Sequence, residues 1–221
     1  KVDNRIIHQV LDVKSRQLSR TPRGDQLGKR LNGIKEAVTE LRNNTKRDPT
    51  ARAELFKYIP IGLVACIQGY FVLAIKDLID SGSRIHDICQ LKDFHFKLES
   101  VIALQGKQVS LGEVVGNMLP LSSIEGLFSS IDTIVGHSFK DALLDYQFTC
   151  PCCEQTFKLL DAEPTIFQDM GQVFRYRNIF CHELAPNQSL PIKSADQYVQ
   201  SVAFFLIVAD SLVEQLLEVN S

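Results

Sequence analysis

Arg177, Asn178 and His182, in the stretch FRYRNIFCHELAPN, are the residues of this chain whose types and spacing could do chemistry. They place a fixed cation, an amide and an imidazole, a group that titrates near neutrality, within about one and a half helical turns. Such groups together can hold a phosphodiester and move protons beside it. An Arg followed at this distance by a His is weak evidence alone, and Arg175 with His182 is a second match of the same kind. The Asn directly after Arg177, the apolar spacer Ile179-Phe180-Cys181 and the helix-ending Pro186 make the signal more specific.

Helical geometry divides the roles. Residues five apart lie about 140° apart around the axis, so Arg177 and His182 do not share a face. Asn178 and His182 are four apart and do share one, so Asn178 can orient the imidazole or touch the same phosphate. Arg177 must reach around with its long stem. His182 falls in the last turn, where the helix dipole favours a positive charge. Arg175 is placed to touch a neighbouring phosphate, and Tyr176 offers a ring for base stacking or for packing. The plain alternative is a surface helix end with Glu183 as the partner of His182.

The elements that must position these residues read as helices throughout. Apolar residues at helical spacing predict a helix over 3–19, broken by TPRGD at 21–25, and a second amphipathic helix over Leu27–Asn43. The polar stretch NNTKRDPT at 43–50 reads as a linker, with Thr50 as N-cap of the next element. It divides a basic N-terminal helical extension, 1–49, from a helical domain, 50–221. The domain opens with a long apolar segment over 51–81, kinked or interrupted at Pro60 and stopped at Ser81-Gly82. A helix follows over 83–105, carrying His86 and His95 as polar-face residues. Short helices are expected at 110–118, 122–135 and 138–148, with another closing at Pro164. Thr165 then caps a helix running to about Leu184, and Ser194 caps a last one running to about Val219. No alternating run with hairpin chemistry stands out, so the expected class is all-α.

RNIFCH resembles the Arg-x(4–6)-His signature of the HEPN superfamily, in its Arg-Asn-x-x-x-His form. The order of a long apolar helix with IQGYFVLAIKDLID, a helical insertion, the motif and a long final helix is similar to HEPN ribonuclease-like proteins, over roughly residues 50–219. The resemblance implies a helical bundle that dimerises so that two motifs face each other. It also implies metal-independent, cofactor-free RNA cleavage leaving 2′,3′-cyclic phosphate ends. In that scheme Arg177 grips the phosphate, His182 is the general base or acid, and Asn178 orients. One histidine cannot readily serve both proton transfers, which is a chemical reason for a homodimer. Proteins of this kind often act as toxins or antiviral defence effectors restrained or triggered by a protein partner. Many relatives carry an acidic residue on the first core helix, where this chain has Gln68. A catalytically silent helical module binding RNA, a nucleotide or a protein is the alternative.

Composition fits that reading. With 45% hydrophobic and 23% charged residues, the 221-residue chain has the balance of an ordinary globular protein. Residues 1–52 carry 13 Lys/Arg against 6 Asp/Glu, and residues 53–221 carry 11 against 20. A body this acidic does not hold RNA non-specifically, so RNA must be gripped locally, while the basic arm either steers a polyanion or is a solvated face. No signal-peptide pattern is visible, and the six cysteines lack the spacing of a secreted framework, so a reducing cytoplasm is expected. Cys150, Cys152 and Cys153 invite a zinc reading but lack a second ligand pair, so no metal is expected. Cys181 beside His182 is no nucleophile pair, because adjacent helical residues point apart. The apolar run Ile59–Ile75 is short for a membrane span and reads as a core helix.

Overall fold

The computed structural model describes residues 10–11, 23–44, 46, 48–81, 109–149, 154–183 and 188–218. Among these, the elements are α1 (Arg23–Asn43), α2 (Pro49–Asp80), α3 (Leu111–Met118), α4 (Ile124–Val135) and α5 (Phe139–Asp145), then strands β1 (Gln147–Thr149) and β2 (Thr156–Lys158). They are followed by α6 (Leu159–Ala162), α7 (Ile166–His182) and α8 (Ile192–Glu218). Val10 and Leu11 are helical, while most of the expected 3–19 helix, the whole of the expected 83–105 helix, His86 and His95 lie outside the described residues. The class is helical, as the sequence predicts, with one correction.

That correction is a hairpin. β1 and β2 pair antiparallel in the register Gln147↔Lys158, Phe148↔Phe157 and Thr149↔Thr156, where the sequence reading continued a helix to 148 and saw no strands. The reason is aromatic packing. The Phe148 and Phe157 rings lie 5.5 Å apart, and both meet Phe204 of α8, at 6.2 and 5.7 Å. Cys150, Cys152 and Cys153 fall between the strands and outside the described residues.

Local chemistry moves several boundaries. α1 starts at Arg23, inside TPRGD, rather than at Leu27. α2 is capped by Asp48, whose Oδ1 accepts from the Ala51 N–H at 2.9 Å, and not by Thr50; Pro49 takes the first helical position, where its missing N–H costs nothing. The helix then continues through Pro60 as one 32-residue element. α8 begins at Ile192, before Ser194. α2 and α8 are each long and apolar enough to cross a membrane, and about half of each apolar window is buried within the protein.

The chain divides into two compact units: Lys1–Arg23 with Phe71–Ala142 and Leu212–Ser221, and Gly24–Tyr70 with Leu143–Ser211. In the first, a capping box starts α3: Glu113 N–H donates to Ser110 Oγ at 3.1 Å, and Ser110 N–H donates to Glu113 Oε2 at 2.8 Å. Gly112 and Gly116 let α3 press against the α2 backbone. A Cβ at Gly112 would meet Lys76 Cα at 2.8 Å, and one at Gly116 would meet Val72 O at 2.8 Å. Arg23 is buried between two carboxylates, Asp77 at 2.6 Å and Glu214 at 2.5 Å, which satisfies a charge that would be costly alone. Partial burial pulls the Lys76 ammonium down, but its hydrogen bond to Asp80 and the charges of Asp80, Asp77 and Glu113 outweigh this and leave it raised. Ser123 caps α4 through the Gly126 N–H at 3.0 Å, and Gly136, at φ 76°, ends it.

The second unit carries the candidate site. Its core includes Phe56, Leu63, Ile67, Met170, Val173, Val202, Phe205 and Leu206, all buried. Arg42 of α1 reaches Asp196 of α8 at 3.0 Å, and Tyr70 Oη donates to Asp210 Oδ1 at 3.1 Å.

Candidate functional site

α7 holds all the candidate residues, and its two sides differ in composition. Ile166, Met170, Val173 and Phe174 recur at helical spacing and are buried, so this face fixes the rotation of the helix. With that face inward, Arg175, Asn178, Cys181 and His182 are exposed. Asn178 and His182 share the open face, as their spacing predicts. Arg177 is half-buried and already makes a contact within the fold. The helix ends as expected: Glu183 is the C-cap, its N–H donating to Ile179 O at 3.0 Å, so His182 is the last helical residue. Among the described residues no ion pair links His182 to Glu183.

Tyr176 is half-buried in an aromatic cluster. Its ring stacks on Phe180 at 5.5 Å, with planes 27° apart, and lies 6.1 Å from Tyr198 of α8. The Lys57 ammonium of α2 lies 5.9 Å from the centre of the Phe180 ring and is paired with Glu54 at 2.6 Å. This packing supplies the anchor that holds the end of α7 between α2 and α8. Burial, then the neighbouring Tyr176 and Asp169, pushes the Tyr198 hydroxyl above its usual value.

The sequence reading missed the polar centre of this unit. Asp169 is buried, and its Oδ2 accepts from Ser201 Oγ at 2.7 Å and Gln197 Nε2 at 3.1 Å, both on α8. Thr165 Oγ1 lies 3.0 Å from the same oxygen and 3.1 Å from Glu163 Oε1, so its single proton serves one carboxylate or the other. Gln197 Nε2 also donates to Glu163 at 3.2 Å. Thr165 therefore occupies the N-cap position without capping through its side chain. The available signal was an Asp on the apolar face, between Ile166, Met170 and Val173, where a carboxylate needs donors from a neighbour.

Gln68 is half-buried on α2 and has an interaction within the fold. Cys66 is buried; burial pushes its thiol up, while the charge of Arg30 acts in the opposite direction. Cys181 is exposed. Among the described residues no group of three or more His, Cys, Asp or Glu side chains is arranged to hold a metal ion.

The open end of α7 thus carries the exposed Arg175 guanidinium, an amide and an imidazole, with the half-buried Arg177 to one side, on a helix whose inner face is anchored by apolar, aromatic and hydrogen-bonded contacts. No protein-family model matches the chain, and no curated protein or solved structure matches it.

Proposed function

We propose that this chain is a metal-independent endoribonuclease of HEPN type. The single observation that carries the reading is the exposure of Asn178 and His182 together on one face of α7, with Arg175 exposed beside them. His182 takes the proton of a ribose 2′-hydroxyl, and the oxygen attacks the adjacent phosphorus. The 5′-oxygen leaves with a proton from a second histidine, giving a 2′,3′-cyclic phosphate and a 5′-hydroxyl. A homodimer supplies that second group as the partner's own copy of the motif. Asn178 orients the imidazole, and a guanidinium balances charge on the phosphate. The protein acts as a cytoplasmic toxin or defence effector, held in check or triggered by a protein partner.

The test is incubation of the pure protein with single-stranded RNA in EDTA, beside His182→Ala. Cleavage by wild type alone, leaving cyclic phosphate ends, supports the proposal. Equal cleavage by both proteins removes His182 from the mechanism. A second reading, a catalytically silent RNA- or nucleotide-binding module, draws on Gln68, which stands where many HEPN proteins carry an acid. Binding without cleavage favours it.

A further inference from the structure

We infer that Arg175, rather than Arg177, is the cation that holds the RNA phosphate at this site; the inference rests on the RNA-directed reading of α7 above. Both arginines precede His182 at distances compatible with the motif, so the motif alone does not choose between them. The rotation of the helix does. Residues seven apart lie about 20° apart around the axis, and residues three or four apart are neighbours on one face. Arg175, Asn178 and His182 stand at such intervals, and all three are exposed. They form one ridge.

Arg177 stands on another side. Its neighbours one turn back are Val173 and Phe174, both buried, and one turn ahead is Phe180, which is half-buried and stacked on Tyr176. Its stem therefore lies along the packed flank of α7, in keeping with its half-burial and its existing contact. Arg175 makes no ion pair with any described residue, so its guanidinium is available to an incoming anion.

Gly171, one turn before Arg175, adds a second observation. A Cβ there would meet nothing within 4 Å, so no packing among the described residues calls for a glycine. The ridge is low at that turn, and a strand following it can approach the helix closely before meeting Arg175, Asn178 and His182 in succession. A single-stranded RNA suits such a path, because its phosphates need a fixed fork and its 2′-hydroxyl needs the imidazole.

The experiment compares wild type, Arg175→Ala and Arg177→Met, the last keeping the aliphatic stem while removing the charge. Each is titrated with a fluorescent single-stranded RNA of 2′-O-methyl riboses, which cannot form a cyclic phosphate, over a range of salt. Cleavage of ordinary RNA and thermal unfolding are read in parallel. The expected result is that Arg175→Ala lowers the slope of log affinity against log salt by about 0.7, one phosphate contact on a single strand. Its cleavage falls about 100-fold or more, with no change in melting. Arg177→Met keeps the slope but melts earlier.

A lost slope in Arg177→Met with an intact slope in Arg175→Ala overturns the inference while leaving the nuclease reading in place. Absence of RNA binding by wild type also overturns it. If wild type binds with an Arg175-dependent slope yet cleaves nothing, the assignment of Arg175 stands and the cleavage reading falls.

Discussion

The two ends of α7 solve opposite problems with similar materials. At its N-terminal end, the polar side chain of Asp169 is turned inward and answered by Ser201, Gln197 and Thr165. At its C-terminal end, Asn178 and His182 face outward, beside Arg175. The first arrangement fixes the helix against α8, because a buried carboxylate accepting several hydrogen bonds tolerates little sliding. The second leaves groups free to meet a ligand. The exposed end of the helix is held in place from the other, and the hold is polar as well as apolar.

The comparison breaks most visibly at His182. Replacing it with Ala should cost about 10²–10⁴-fold in RNA cleavage with an unchanged melting temperature; a variant that melts early would make His182 part of the scaffold instead. Asp169→Ala should do the reverse. Leaving the Ser201 and Gln197 donors without their acceptor should cost about 2–3 kcal/mol in chemical denaturation. If that variant keeps its stability, the buried cluster is not the anchor described here. Gly171→Ala sharpens the contrast from the stabilising side. With open space for the methyl group, it should add up to about 1 kcal/mol of stability.

The smallest effect concerns Cys66. Its folded thiol is raised above the ordinary 9.0, so both states keep the proton below that pH. As pH rises through 9.0, the unfolded chain releases a proton that the folded chain retains, and stability falls. Cys66→Ala should flatten this alkaline loss in melting measured from pH 8 to about 10. An unchanged alkaline slope would show that burial of this thiol does not couple to folding.

Much of this arrangement was legible in the sequence, and the exceptions have physical causes. The α3, α4 and α7 boundaries fall within two residues of their expected positions, because caps and apolar spacing act over one or two turns. The shared face of Asn178 and His182 follows from spacing alone. Spacing also puts Arg175 on that face, but that the face is exposed while Arg177 is half-buried depends on how the apolar side rotates α7 against its neighbours. The hairpin was hidden because strands of three residues are too short to show alternation, and Phe204, which meets both of their phenylalanines, lies far along the chain. Asp48 was overlooked in favour of Thr50 because the Pro between them belongs to the helix itself. The Asp169 cluster joins residues about thirty positions apart, which no local pattern encodes.

Gly112 and Gly116 have a consequence for anyone reading mutational tolerance in this protein. Side chains at either position would collide with the backbone of α2, so nearly every substitution there should abolish folding in a saturation library. In a growth-based screen for loss of the proposed toxic activity, those two positions would score as strongly as His182 through loss of folding alone. Across related sequences they would likewise stand out as fixed, for reasons of contact between two helices. Abundance measured alongside phenotype separates the two classes: glycine variants vanish from the soluble pool, and His182 variants persist in it.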